Sequence, residues 1–565
     1  MPTLDWIGKK AVVNHHQEVP YRLIHCNGVL SVGDPDAGNL LIEGDNLVAL
    51  KALLPYYAGK VKCIYIDPPF NTGSEEWHYN DNVTSPEISR WLKEVVGKEA
   101  DDLCRHDKWL CMMYPRLRVL REFLCKEGTL FVHIDDNEIA HAIILCDEIF
   151  GLRNRRYVVT FKQASATGHK SINPGCVNVT NNVLIYSKDR DHWKPNRVFT
   201  GRDRDKRYNQ FIENRGDPFE QWRFTTLMKA FALSKGIPLK EARKLAKDDP
   251  KSLDDFVLIN ASSVVQPARP DYESVGQETR DAIDMSEKNP DQIFRIVRGD
   301  YSDIFLRGGM RLLFYSDKVK TIDGVPVAGE PLTTLWDDVL SNNLHQEGGV
   351  DFPKGKKPEA LIKRCLDLAT HPNDLVLDSF GGSGTTAAVA LKMGRRWLSV
   401  ETGEHAKTHI QPRLQSVVSG LDPSGVTKET RWIGGAGFRY CALGESLFDA
   451  DGGISPTVTF PDLAAHVFFA ETGQPLPKKA QDGNSFLGTF QNRAVYLLWS
   501  REGASKPGAY KHNILSVETL AALPSPGGEF LGERVVYADG CTASRERLNR
   551  DSILFKQVPY RLAGN

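Results

Sequence analysis

Val61-Lys-Cys-Ile-Tyr-Ile-Asp-Pro-Pro-Phe70 is an apolar, β-branched run that stops abruptly at an acid, two prolines and an aromatic ring. The run predicts a strand over 61–66. Pro68 and Pro69 lack an N–H and fix φ, so they end ladder pairing and stiffen the backbone that carries the Pro68 carbonyl. Asp67 is thereby set where a sheet meets solvent, beside the flat face of Phe70. An acid and a rigid carbonyl, both acceptors, can grip an exocyclic amine while the ring stacks on a planar heterocycle, as base-modifying chemistry requires. Taken alone, the stretch reads more simply as a strand followed by a proline turn.

A second stretch changes that balance. Leu375-Val-Leu-Asp-Ser-Phe-Gly-Gly-Ser-Gly-Thr-Thr386 runs from an apolar strand into a glycine turn and then into a helical segment over 387–394. Gly381, Gly382 and Gly384 can adopt positive φ and let a ligand approach the backbone, while the following helix presents unbonded N–H groups. Arg395-Arg-Trp-Leu-Ser-Val-Glu401 predicts another strand ending in an acid, close to the spacing at which nucleotide folds place a ribose-binding carboxylate. A Gly-Gly-Ser-Gly run also suits a flexible linker, but linkers are not framed by two apolar strands and an alanine-rich helix.

The chain has 565 residues, room for two to four domains, and its 41% hydrophobic and 25% charged content is that of an ordinary globular protein. Lys plus Arg number 71 and Asp plus Glu 72, so any surface for nucleic acid must be local. The ten cysteines are scattered without a Cys-x-x-Cys pair and read as reduced core thiols, not zinc ligands. No basic, then apolar, leader opens the chain and no apolar run reaches the roughly 18 residues of a membrane span, so a cytoplasmic location without membrane association is expected.

Between 40 and 190 strand and helix patterns alternate. Leu40–Asn46 predicts a strand leading into a helix over 47–54, capped by Asp45 or Asn46. Helical spacing from Trp109 to Lys126 ends at Gly128, before a strand over 129–134. Asp135-Asp-Asn-Glu138 has the acids of a magnesium site, yet acids here also cap the amphipathic helix Ile139 to Phe150. Asn182 to Ser187 is a further strand, and repeated strand–helix units predict a mostly parallel sheet. From about 190 to 335 charged and aromatic residues interleave, as in Arg202-Asp-Arg-Asp-Lys-Arg-Tyr208, with a lysine-rich helix around 240 to 251. Such mixtures suit phosphate contact and base stacking, or simply a solvated insertion. A helix opening at Lys354 leads to the strand at 375, and after about 415 glycine-rich turns suggest a separate module.

In this order, Asp67-Pro-Pro-Phe70 and Asp378-Ser-Phe-Gly-Gly-Ser-Gly-Thr385 resemble the S-adenosylmethionine-dependent amino-methyltransferases of DNA, in their circularly permuted β group. Tyr79-Asn-Asp-Asn82 and Ile134-Asp-Asp-Asn-Glu138 narrow the resemblance to the modification subunits of type III restriction systems. The resemblance implies a doubly wound α/β, Rossmann-like methyltransferase sheet with an inserted target recognition domain. It divides the chain into an N-terminal extension (1–39), a first catalytic part (40–190), a DNA-reading insertion (191–335), a second catalytic part (336–415) and a C-terminal module (416–565) for assembly. It also assigns roles. Asp67 and the Pro68 carbonyl, held by Pro69, would accept hydrogen bonds from the adenine amine, and Phe70, where the family more often has tyrosine, would stack on the flipped base. Asp378, Phe380, Gly381, Gly382, Ser383, Gly384 and Thr385 would surround the cofactor's methionine part, Glu401 would take the ribose, and Asp45 and Asn71 would add contacts. Lys357-Pro358 resembles the short segment ahead of the family's cofactor loop, although Gly355-Lys356 departs from the usual spacing.

The implied activity is transfer of methyl from S-adenosylmethionine to the N6 amine of adenine in duplex DNA. Neither a metal nor a covalent intermediate is needed, because a sulfonium is already a good leaving group and the site works by positioning. A separate restriction subunit and a homodimer are implied partners. A solitary methyltransferase, a cytosine-N4 enzyme and a non-catalytic DNA-recognition subunit are the alternatives. A nicotinamide-dependent oxidoreductase would explain the glycine loop but not the Asp-Pro-Pro-Phe edge.

Overall fold

The computed structural model describes residues 3–71, 86–97, 104–165, 175–299, 301–339, 344–352, 355–449, 452–500, 513–527 and 530–558. Ten strands form one sheet: β1 (Arg22–Gly33), β2 (Leu40–Glu43), β3 (Val61–Ile66), β4 (Leu124–Ile134), β5 (Arg155–Lys162), β6 (Thr180–Ser187), β7 (Leu335–Trp336), β8 (Leu375–Asp378), β9 (Arg396–Glu401) and β10 (Gly437–Ser446). Their order across the sheet is β1-β10-β2-β9-β8-β3-β4-β6-β5-β7. From β10 to β4 every neighbouring pair is parallel. Residues such as Ile64, Ile66 and Leu377 are fully buried there, as expected of strands covered on both faces.

Among the described residues, the helices that flank this sheet include α1 (Asn46–Tyr57), α2 (Arg105–Phe123), α3 (Ile139–Phe150), α4 (Glu359–Ala369), α5 (Thr385–Lys392) and α6 (Gln411–Val418). β8, from late in the chain, lies between β9 and β3, with Val376 opposite Cys63 and Leu377 opposite Ile64. From β8 the chain moves through α5 to β9 on one side, and from β3 through α2 to β4 on the other. Strand order therefore reverses between β8 and β3, the place where open α/β sheets bind ligands at the carboxyl ends of their strands.

Several boundaries differ from the sequence reading. α2 ends at Phe123 rather than at Gly128, because Leu124 is already extended (φ −66°, ψ 130°) and pairs with Val61 before the register shifts. Gly128 lies inside β4, where a Cβ would come within 2.9 Å of the Cys125 carbonyl. The lysine-rich helix is two helices, Leu239–Asp248 and Pro250–Ile259, since Pro250 cannot continue the first. The helix before β8 opens at Glu359, after Pro358, and Lys354 lies outside the described residues. β1 and β10 come from the segments 1–39 and 416–565, so the sheet reaches beyond the two parts expected to build it.

The chain divides into two compact units, Met1–Asn196 with Thr334–Asn565, and Arg197–Thr333. The first also holds a four-stranded sheet of Phe486–Phe490, Arg493–Leu498, Glu533–Ala538 and Ile553–Gln557. The helix Phe460–Thr472 packs on it through Leu463, Val467 and Phe468. The second unit contains a six-stranded sheet and a three-stranded sheet. In it, arginines of the charged–aromatic stretch meet acids: Arg202 pairs with Glu330, Arg204 with Asp254 and Arg207 with Asp205. Arg215 lies 4.2 Å from the ring centre of Trp222, and Arg307 4.4 Å from that of Phe224. Among the described residues no helix is long and apolar enough to cross a membrane.

Candidate active site

β3 delivers Asp67 to the carboxyl edge of the sheet, and the two prolines after it are buried. The indole of Trp109, on α2 and fully buried, donates to the Pro69 carbonyl at 2.7 Å and pins the turn. Lys357 reaches Asp67 Oδ2 at 2.6 Å and lies 4.9 Å from the ring centre of Phe70. A cation thus stands where an amine donor to Asp67 and a stacking partner of Phe70 would both be placed.

His133, buried in β4, backs this corner. Its Nδ1 is 3.3 Å from Asp67 Oδ1 and 3.1 Å from the Tyr65 hydroxyl, and its ring centre is 5.2 Å from that of Phe70. The Asn181 amide donates to Nε2 at 3.1 Å, which leaves the ring proton on Nδ1. Burial, and secondarily Lys357, hold the imidazole well below its usual pKa, so His133 is neutral and Lys357 supplies the local positive charge. Neither His133 nor Trp109 was singled out from sequence. A histidine near the end of an apolar strand was the available signal.

On the neighbouring strand, Asp378 ends β8 and is buried; its Oδ1 accepts from the Phe380 N–H at 2.9 Å. Burial pushes its carboxyl up to about 7, against hydrogen bonds from Thr386 and Phe380 and with help from the charge of Asp67. The glycine loop folds back on β9: Gly381 N donates to the Val400 carbonyl at 2.9 Å and Gly382 N to Glu401 Oε2 at 2.7 Å. A Cβ on Gly381 would stand 2.7 Å from Ser399 Oγ, and Gly384 is left-handed (φ +77°) with Ile410 in the path of a Cβ. Only glycine fits this close approach.

A buried ionic network holds the far side of the loop. Arg413, on α6, donates to the Ser383 carbonyl at 3.1 Å and to Thr385 Oγ1 at 2.9 Å, and pairs with Glu359 at 2.8 Å. Lys392, at the end of α5, pairs with Glu359 and Asp422, each at 2.8 Å. Two acids and two bases, all buried, balance one another.

Asp45 caps α1, accepting from Val48 N at 3.0 Å, and pairs with Arg116 at 3.0 Å, while Asn46 donates to the Ser379 carbonyl at 2.9 Å. Asn71, left-handed and buried, donates to the Arg105 carbonyl at 3.1 Å and to Glu138. Glu138 precedes α3 without a side-chain capping bond; its carboxylate takes His106 and His141 instead. Asp135 is engaged by the backbone and amide of Asn137, and Asp136 by Asn178. Tyr79-Asn-Asp-Asn82 lies outside the described residues.

A DNA methylase family model (N6_N4_Mtase) matches residues 61–412, which include both motifs and the stretch between them. The chain belongs to this family. Among curated DNA-modifying relatives, it is 31% identical over 443 residues to the probable type III restriction-modification enzyme HindVI Mod subunit of Haemophilus influenzae, covering 73% of this chain and 55% of that one. It is 28% identical to the EcoP15I Mod subunit of Escherichia coli (63% and 56% covered) and 30% identical to the EcoPI Mod subunit of Escherichia phage P1 (62% and 54%). The chain thus spans about half the length of the curated relatives it matches. Its methylase sheet has the Asp-Pro-Pro-Phe edge and the glycine loop on adjacent strands.

Proposed function

We propose that the protein transfers methyl from S-adenosylmethionine to the N6 amine of adenine in duplex DNA, as the modification subunit of a type III restriction-modification system. The observation that carries this reading is the pairing of β3 with β8, which sets Asp67-Pro-Pro-Phe70 beside the loop Asp378–Thr385. The glycine loop would suit the proposed cofactor at Gly382, whose Cβ side has no atom nearer than 3.7 Å, and acids end both β8 and β9. Asp378 and residues 380–385 would hold the methionine part and Glu401 the ribose; the cofactor supplies an electrophilic methyl on a good leaving group.

The chain's own residues then position the base. Asp67 and the Pro68 carbonyl accept the two N6 hydrogens and turn the nitrogen lone pair toward the methyl; Phe70 stacks on the extruded ring. The cofactor would supply the methyl from its sulfonium, the S–C bond breaking as the N–C bond forms, and the Asp67 carboxylate would receive the surplus N6 proton along its hydrogen bond. Lys357 must yield its place over Phe70 when the base arrives. Asp45 and Asn71 would add further cofactor contacts, held in place by Arg116 and Glu138.

The segment 191–335, within which residues 197–333 form the second compact unit, is proposed to read the target sequence, with a separate nuclease subunit and a second copy of the chain as partners. Incubation of the purified protein with labelled cofactor and duplex DNA is expected to label N6-methyladenine, and Asp67→Ala to abolish transfer while cofactor binding persists. Equal activity in Asp67→Ala overturns the role of Asp67, and label on cytosine N4 overturns the choice of base.

A further inference from the structure

We infer that His106, Glu138 and His141 form a binding site for a single transition-metal ion of the zinc class, one that locks the Asp-Pro-Pro-Phe turn. It is independent of the methyl-transfer reading. Glu138 is fully buried, and each of its oxygens faces one imidazole: Oε1 lies 2.7 Å from His106 Nδ1 and Oε2 2.9 Å from His141 Nδ1. The two rings are 4.7 Å apart at 36°, so their Nδ1 atoms converge on the same carboxylate. All three ligand atoms fall within 4.8 Å of one another. That span encloses the roughly 3.4 Å separation of ligands bonded tetrahedrally at about 2.1 Å.

The ligands sit on rigid elements. His106 is in the first turn of α2, and Glu138-x-x-His141 spans the start of α3 at the i, i+3 spacing that carries metals in helical proteins. Two imidazoles and one carboxylate select zinc-like ions over magnesium, which prefers oxygen. Each ring can move its proton to Nε2 and offer the Nδ1 lone pair, and both side chains keep about a third of their surface in solvent (37% and 31%), which leaves a route for the ion. Asn71 supplies the outer support through its bond to Glu138. Because Asn71 directly follows Phe70, an ion on Glu138 would hold the reactive turn through one amide.

The test uses the full chain, dialysed against a chelator. Zinc titrated calorimetrically is expected to bind at one ion per chain with micromolar or tighter affinity and to raise the melting temperature, whereas magnesium at the same concentration leaves it unchanged. His106→Ala and His141→Ala should each weaken zinc at least about tenfold. Should a variant fail to fold, X-ray absorption of the zinc-loaded unaltered protein decides, two imidazole nitrogens around the ion being the expected result. No binding below millimolar zinc, an equal response to magnesium, undiminished binding in the folded variants, or an ion without imidazole ligands would each overturn the site.

Discussion

At Asp378 the environment sets a proton against a charge. A carboxyl with its folded pKa near 7 keeps its proton in the native state where the unfolded chain, near 3.8, has released it. The native state then binds more protons between those values, so stability falls as pH rises from about 4 to 7 and levels off above. Asp378→Asn should remove that slope in denaturant titrations run across the range. A positively charged cofactor prefers the ionised acid, so S-adenosylmethionine affinity is expected to weaken below pH 7 in the parent and to do so less in Asp378→Asn, as isothermal titration would report. At Phe70 the stake is stacking: Phe70→Ala should cost about 1–3 kcal/mol of base contact, raising KM for DNA roughly tenfold while cofactor affinity holds. Phe70→Tyr keeps the π-face and should retain turnover. Residues at this edge were legible because acid, proline and ring are contiguous. His133 and Trp109 were not, since each reaches Asp67-Pro-Pro-Phe70 from another part of the chain and neither stands out in its own surroundings; Lys357-Pro358 stood out only through the family resemblance, which gave no sign of the bond from Lys357 to Asp67.

Elements were legible where one force dominates. β3 and β8 are short apolar runs buried on both faces, and their bounds follow from composition alone. The end of α2 was misread because Gly128 looked like a helix stop, while its actual place is a crowded shift in register within β4. The contacts that tie α4, α5 and α6 together left no trace in sequence, because Glu359, Lys392 and Arg413 resemble solvated helix charges until their partners are in view. Removing one member leaves the others buried and uncompensated. Glu359→Gln is therefore expected to destabilise the fold by about 3–5 kcal/mol, read as a lower unfolding midpoint, and to loosen cofactor binding through Ser383 and Thr385.

For the whole molecule, the unit Arg197–Thr333 leaves and returns by paired strands: Phe199 lies opposite Pro331, and Leu332 N donates to the Val198 carbonyl. Its two ends are neighbours, so replacing it with a short glycine–serine linker should leave the remaining unit folded. Such a variant is expected to bind S-adenosylmethionine and melt cooperatively but to lose sequence-specific DNA binding in a mobility-shift assay. Mixed composition sets this stretch apart in the sequence, while the ion pairs that occupy Arg202, Arg204 and Arg207 show why counting basic residues could not say which of them are available to phosphate.

The position of β8 at the middle of the sheet also bears on how the protein is born. As the chain leaves the ribosome, β3 can take β4 along one side, but the strand that completes its other side is synthesised only after the whole inserted unit. A nascent chain therefore carries an open, apolar strand edge until β8 has been made, a state prone to mispairing and to capture by chaperones.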